Sequence, residues 1–362
     1  MKLNKNASRL IRAVAVSTLL SSTAPMALES NAVPAATKAS IEVLDAHFKK
    51  GDFEYVVSTL EDLKNKTPQQ YNLLISALMN IDLDDAEEVA DEFIAVYSND
   101  YKAYHTHANV MGAQASNSVF SALGYAKKAR ESLETAIEIA PNEVGVYKAL
   151  MQFHIVAPSI AGGDMEEAER LANKIATIDA LEGQFAKARF YLEDEQVEKA
   201  NAIYADLTQQ EASKIRASLE LGSYYLSEES FQSAYETLSV LLNASVPIVE
   251  DKDSTLWEDY QENKSDLLYG KYRLGLVAVN SGEHTDSGIK ALEQYIDEYH
   301  TTNIDTTHLP TMNWAHLRLA ELRLNANDVE KAKATLALIE GEEDKRFAKI
   351  LKGLKKQIKK RA

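Results

Sequence analysis

The chain has 362 residues, 45% of them hydrophobic, with 14 Gly, 7 Pro and no cysteine. This composition favours a packed protein of long helices and short loops, and it excludes disulfide bonds, thiolate metal sites and cysteine nucleophiles. The formal net charge of −16 argues against a nucleic-acid partner, because phosphates would be repelled.

The first 27 residues have the layout of a secretory signal peptide. Basic residues come first: Lys2, Lys5, Arg9 and Arg12. A short apolar run at 13–20 and several small residues follow, so residues 1–27 are expected to be removed by cleavage after Ala27, or as late as Ala35. Residues 28–37 would then be a linker. Because no cysteine follows the run, we expect a periplasmic or secreted bacterial protein without a lipid anchor; an ordinary amphipathic first helix is the alternative.

A small apolar residue recurs at one helical phase through residues 38–340. Large apolar residues follow it at helical spacing, which places all of them on one helix face. The clearest copies are Val56-Leu60-Leu63, Ala168-Ala172-Ile175, Ala234-Leu238-Leu241 and Ala332-Leu336-Ile339. A weaker copy is Ala86-Ala90-Phe93, and Leu-Gly pairs at 221–222 and 274–275 lie on the preceding helices.

These patterns resemble the tetratricopeptide repeat, a helix-turn-helix unit of about 34 residues. The resemblance implies an all-α solenoid of about eight degenerate repeats over residues 38–340, followed by a C-terminal capping helix. An all-helical bundle with ordinary amphipathic periodicity is the alternative, because no single copy has the full consensus.

Four segments interrupt the period of the repeats: 113–118, 156–163, 245–260 and 300–310. Insertions in helical repeat proteins often bind partners. Within the second segment, Pro158 is expected to end a helix, and Gly162 and Gly163 permit backbone angles that other residues resist. Asp164 is then placed to cap the next helix. The insertion is either a tight linker between helices or a rigid loop that presents Ile160 to a partner.

The segment from Gly112 to Ala205 resembles a family of exported proteobacterial tetratricopeptide proteins. The residues that carry the resemblance include Leu150-Met151-Gln152-Phe153-His154 and the Ala-Pro-x-Ile-x-Gly-Gly insertion at 157–163. The resemblance implies the repeat fold and export. It implies no substrate and no catalytic residue.

No motif of a known catalytic class occurs, so no enzyme activity and no cofactor are expected. His105 and His107 are two residues apart, which puts their rings on different faces of a helix and prevents joint metal binding. His300, His308 and His316 lie across one loop and one helix start. They could converge in space, but we expect no metal site there.

The function expected from these features is a scaffold that binds a protein or peptide. In tetratricopeptide arrays the first helices line a concave groove, and the phase of the pattern places five polar side chains there: Lys148, Gln152, Arg216, Ser223 and Glu321. Trp314 would border the groove, and Pro158, Gly162 and Gly163 add a second candidate surface. The alternatives are an envelope biogenesis or secretion component that docks onto a membrane-associated complex, and a solute-binding accessory protein.

Residues 341–362 predict a basic amphipathic helix. Its apolar face comprises Phe347, Ile350, Leu351, Leu354 and Ile358, and its opposite face comprises Lys345, Lys349, Lys352, Lys356 and Lys359. The helix either seals the apolar face of the last repeat or uses residues 345–362 to touch anionic lipid or an acidic partner. Both could hold if the apolar face docks and the lysines face outward.

Overall fold

The computed structural model describes residues 35–118, 120–341 and 344–361, and every regular element in these ranges is a helix. The expected all-α class is confirmed. The predicted signal peptide, residues 1–27, lies outside the described residues. The chain divides into two compact units, residues 1–196 and residues 197–362.

The described part of the first unit is a succession of helices joined by short loops. They are α1 (Ala35–Lys49), α2 (Phe53–Leu60), α3 (Pro68–Leu78), α4 (Leu83–Val96), α5 (Tyr101–Asn117), α6 (Ala122–Ile139), α7 (Val144–Val156), α8 (Met165–Ile178) and α9 (Ala180–Glu193), with one 3₁₀ turn at Ser159–Ala161. Helix α1 packs on α2, α3 on α4, α5 on α6, and α7 on α8. The short loops make each pair a helical hairpin of the tetratricopeptide type.

Side-chain caps fix where these helices begin. The hydroxyl of Thr67 accepts from the backbone N–H of Gln70, and the Gln70 side chain accepts from the backbone N–H of Thr67, which forms a capping box at α3. Asp82 caps α4 by accepting from two backbone N–H groups. Asp179 is the only residue between α8 and α9, and it caps α9 by accepting from the N–H of Glu182.

The recurring small residues lie in the hairpin interfaces, as the pattern predicts. Residues that are fully buried include Ala86, Ala90 and Phe93 on α4 and Ala168, Ala172 and Ile175 on α8. Leu63 departs from the prediction and is 41% exposed, because α2 ends at Leu60. Residues 113–117 are also different from the expected insertion: they continue α5, so this repeat is lengthened by helix rather than by a loop.

The second unit contains α10 (Val197–Leu207), α11 (Lys214–Ser227), α12 (Phe231–Leu238), α13 (Trp257–Ser281), α14 (Thr285–Thr301), α15 (Met312–Asn325), α16 (Val329–Leu336) and α17 (Lys345–Arg361), with a 3₁₀ turn at Ser239–Asn243. The Leu-Gly pairs mark where two helices touch. A Cβ at Gly222 would lie 2.4 Å from Leu238 Cγ, and a Cβ at Gly275 would lie 2.5 Å from Leu292 Cγ. Glycine therefore lets α11 approach α12, and α13 approach α14, at the position that the repeat pattern requires.

Helix α17 packs on α15 and α16. Its buried side chains are Phe347, Leu351, Leu354 and Ile358. The Phe347 ring meets the Trp314 ring edge-on at 5.1 Å between centroids, and Asp344 Oδ1 accepts from the Phe347 backbone N–H at 2.7 Å. The apolar face of this terminal helix thus covers the last hairpin. Within the described residues, no helix combines the length and apolarity that crossing a bilayer requires.

Candidate binding surface

The insertion after α7 forms a loop with a defined backbone. Helix α7 ends at Val156, Pro158 is extended, and Ser159–Ala161 make one 3₁₀ turn. Gly162 follows with φ = +93°, a left-handed conformation that favours glycine. Two hydrogen bonds close the loop, from Gly163 N to Pro158 O and from Asp164 N to His154 O, each 3.1 Å long. The loop is therefore tied to the end of the helix that precedes it.

Gly163 is needed for close packing rather than for an unusual φ. A Cβ at this position would lie 1.7 Å from the carbonyl oxygen of Ala157, a distance that no side chain tolerates. The next residue, Asp164, caps α8 by accepting from the backbone N–H groups of Glu166 and Glu167 at 2.9 and 3.2 Å. The cap at Asp164 matches the expectation from the sequence, whereas Gly163 differs from it, because the sequence predicted an unusual backbone angle there. Together the two residues fix the end of the loop.

The loop leaves one large apolar side chain in solvent. Ile160 is 80% exposed, although it lies between two ordered helices. The guanidinium of Arg130, from α6, lies beside Gly162, and Pro158 is exposed. At the end of α7, burial lowers the pKa of His154 and so favours its neutral form. The exposed surface thus consists of the apolar side chain of Ile160 and, beside the loop, the cationic guanidinium of Arg130.

Lys148 lies on α7 and forms an ion pair with a residue of α9. Its Nζ is 2.9 Å from Glu182 Oε2 on α9, and both side chains are largely shielded from solvent. The two residues are 34 positions apart, which is one repeat length. Thr106 and Asn72 form a hydrogen bond at the same separation. These pairs join equivalent helices of neighbouring repeats, and scanning the sequence for complementary residues one repeat apart would have found them.

Gln152, also on α7, has a buried Oε1 without a hydrogen-bond partner among the described residues. In the second unit, too, one expected groove residue has an ionic partner and another has a buried polar atom without one. Arg216 donates to Glu220 at 2.8 Å, and Glu220 also accepts from Tyr204. Ser223 Oγ is buried and lacks a partner in the part of the chain that the structure describes.

Glu321 and Trp314 flank Arg318 on α15. Arg318 donates to Glu321 Oε2 at 2.8 Å, and its guanidinium carbon is 5.3 Å from the centroid of the Trp314 ring. Arg318 is buried, so this charge is neutralised inside the unit. Gln152 and Ser223 thus each contribute one buried polar atom without a partner among the described residues, and their assignment to a groove stays a prediction. Lys148, Arg216 and Glu321 have internal ionic partners instead.

A serine, a histidine and an aspartate meet in the first unit, in an arrangement that the sequence did not reveal. His107 Nδ1 lies 2.7 Å from Ser132 Oγ, and its Nε2 lies 3.0 Å from Asp91 Oδ1. Ser132 is only 7% exposed in the middle of α6, where helical hydrogen bonds occupy the nearby N–H groups. A substrate carbonyl could neither reach this hydroxyl nor find an oxyanion hole. The trio instead connects α4, α5 and α6.

The other histidines have separate surroundings. His308 Nε2 bonds to Ser265, while His316 is buried with its pKa lowered by desolvation and by the nearby His300 and Arg323. Desolvation also lowers the pKa of His105. No group of three metal-binding side chains occurs among the described residues.

Comparison with known proteins gives structural similarities only. No protein-family model matches the chain, and no curated protein matches it either. Similar solved structures include a thermophilic TPR protein from Thermus thermophilus, at 16% identity over 61% of this chain and 99% of that chain with a TM-score of 0.38. Yeast Tom70 matches at 13% identity over 99% of this chain and 83% of its own, with a TM-score of 0.40.

The apo form of the quorum sensor NprR from B. thuringiensis matches at 13% identity over 88% of this chain and 99% of that chain, with a TM-score of 0.33. At these identities and TM-scores the similarities carry no argument about function. The fold class, an all-α repeat of tetratricopeptide-type hairpins, rests on the helical hairpins of the chain itself.

Proposed function

We propose that the chain is a non-enzymatic scaffold that binds a protein partner through the loop at 157–164. The observation that carries this proposal is the 80% exposure of Ile160 on a loop whose end is fixed by Gly163 and Asp164. Because the backbone of this loop is already held in place, presenting the side chain to a partner costs little conformational entropy of the chain. A partner with a small apolar pocket would therefore gain the full burial of this side chain.

The experiment places a photo-crosslinking amino acid at position 160 in the native host and identifies the captured protein. Ile160→Asp should then prevent copurification of that same protein. Ile248→Asp is the matched control, because Ile248 is 74% exposed but lies in the second unit. Equal losses from the two variants, or none from either, would exclude the loop as the binding surface.

Peptide recognition in the expected groove is a finer version of the same proposal. The helical phase supports it, because it assigns Lys148 and Gln152 to the inner face of the first unit's repeats, and Arg216 and Ser223 to that of the second unit's. Lys148→Glu and Arg216→Glu reverse the charge at one candidate position in each unit, and altered partners in a pull-down would support a groove. Unchanged partners from both variants would count against it and leave the loop at 157–164 as the candidate.

Export to the periplasm, as in the exported proteobacterial family that the sequence resembles, is also a proposal. It rests on the basic, apolar and small-residue order of residues 1–27. N-terminal sequencing of the protein from a periplasmic fraction should find Leu28, or Ala36 for the later cleavage site. Recovery of the intact N-terminus in the cytoplasm would contradict export.

A role in envelope biogenesis, with the chain docked onto a membrane-associated assembly, is the second candidate. The exposed lysines of α17 favour it, and they support a more specific inference about how that helix meets a membrane.

A further inference from the structure

The apolar face of α17 is buried against α15 and α16. Phe347, Leu351, Leu354 and Ile358 are all buried in a cluster that includes Leu317, Leu324 and Ala332. An amphipathic helix that lies in a bilayer must place its apolar face among the lipid chains. Helix α17 could do so only by leaving α15 and α16 and exposing their apolar faces to water.

The basic residues of α17 divide sharply into two groups. Both arginines hold the helix in place: Arg346 lies 5.8 Å from the Trp314 ring centroid, and Arg361 donates to the carbonyl of Leu324 at 2.7 Å. The lysines are exposed and have no hydrogen bond or ion pair within the described residues: Lys345, Lys349, Lys352, Lys355, Lys356, Lys359 and Lys360. The helix itself carries no acidic side chain.

Five of these lysines form one row. Lys345, Lys349, Lys352, Lys356 and Lys359 recur at alternating spacings of four and three, which aligns them along one helix face. The row is about 21 Å long at 1.5 Å per residue. It lies opposite the buried apolar face, so all five ammonium groups can meet a single flat surface at once.

We propose that this lysine row binds an anionic membrane surface by electrostatic attraction alone, while α17 stays docked on α15 and α16. Lysine is a compact point charge that needs no fixed partner geometry, whereas arginine reads carboxylates and phosphates through a planar fork. A row of lysines without free arginine suits a fluid layer of headgroups better than a shaped protein site. The whole chain has a formal net charge of −16 even with the basic α17 included, so an anionic surface attracts this helix and repels the acidic remainder.

The test measures binding of the full chain to vesicles of phosphatidylcholine with about one third phosphatidylglycerol, and to vesicles of phosphatidylcholine alone. Combining Lys349→Gln, Lys352→Gln and Lys356→Gln should weaken binding to the anionic vesicles on the order of 100-fold. Combining Lys50→Gln, Lys64→Gln and Lys333→Gln removes the same charge from exposed positions elsewhere, and it should have a much smaller effect. Binding through the row should vanish near 1 M salt, where the Debye length is about 3 Å.

A tryptophan signal reports whether α17 stays docked. Trp257→Phe leaves Trp314 as the only tryptophan, and its ring contacts Phe347. The emission maximum of Trp314 should not move when vesicles bind. A shift would mean that the helix leaves the fold and inserts, which would overturn docking by charge alone.

Two further results would overturn the proposal. One is equal binding by the two lysine triples; substitution of Lys2, Lys5, Arg9 and Arg12 by Gln would then show whether the N-terminal segment is responsible. The other is binding of soluble polyglutamate, but not of anionic vesicles, through the same lysines, which would assign the row to an acidic protein. Neither result depends on the partner of the loop at 157–164, so the two proposals fail separately.

Discussion

Gly163 sits against the carbonyl oxygen of Ala157, so closely that a Cβ would lie 1.7 Å from it. Backbone atoms cannot move aside as the end of a flexible side chain can. Gly163→Ala should therefore open the loop and lower the free energy of unfolding by about 2–3 kcal/mol or more. Urea denaturation of the purified protein measures this change.

The control is Gly112→Ala. Gly112 lies inside α5, and a Cβ there would meet nothing within 4 Å. Alanine is the better helix former, so this variant should be more stable by about 1 kcal/mol. Opposite signs for the two variants are the expected result, and a neutral Gly163→Ala would show that the loop is looser than its contacts indicate.

Charge reversal should reveal the pair that joins α7 to α9. Lys148→Glu places a second carboxylate beside Glu182 and should cost about 1 kcal/mol, since the pair is partly shielded from solvent. Adding Glu182→Lys restores an opposite-charge pair and should recover most of the loss. Thermal unfolding of both single variants and the double variant gives the coupling energy. A coupling near zero would mean that the two side chains do not interact in solution.

As the pH is lowered, the protein should lose stability at pH values higher than those at which its carboxylates are protonated. Desolvation is the largest cause of a lowered pKa in five histidines: His105, His107, His154, His308 and His316. A folded-state pKa below the unfolded value means that the unfolded chain binds more protons, so this stability is present above about pH 6.5 and is lost as the pH falls below it.

The measurement is the urea midpoint at several pH values and constant salt. The combined variant His107→Gln and His154→Gln should show a shallower loss between about pH 6.5 and pH 5 than the parent. An identical pH dependence in the parent and the variant would assign the acid sensitivity to other groups.

Truncating the docked face of α17 should unfold the end of the second unit. Phe347→Ala removes a fully buried ring and should cost about 3–5 kcal/mol. Gln357→Ala, at an exposed position of the same helix, should change stability by less than about 0.5 kcal/mol. Hydrogen exchange of α17 and α16 would show the local opening. Equal protection in both variants would contradict the packing described for this helix.

The sequence predicts those parts of the fold that depend on contacts within one hairpin. Ala86 and Ala90 recur where two helices must touch, and Gly222 meets Leu238 for the same steric reason. The cap at Asp164 is equally local. Such features follow from helical spacing, because neighbouring helices in a hairpin have a fixed register.

Contacts between side chains of different helices were not predictable in the same way. His107 meets Asp91 and Ser132 across separations of 16 and 25 residues, which match no period of the repeat. The ion pair of Lys148 with Glu182 was missed for another reason: the helical phase assigns a residue to a helix face but does not name its partner on the next repeat. Leu63 was misplaced because nothing in the apolar spacing marks the end of α2 at Leu60.

Asp179 alone connects α8 to α9, so the first unit has no flexible linker at this point. The same residue follows the last residue of α8 and caps the first turn of α9, so no spare backbone remains to absorb a change of length or angle. An added or deleted residue there would rotate α9 by about 100° about its axis relative to α8. Changes in chain length during evolution, and tags or inserted domains in the laboratory, should therefore be accepted in irregular segments such as 244–256 and rejected at Asp179.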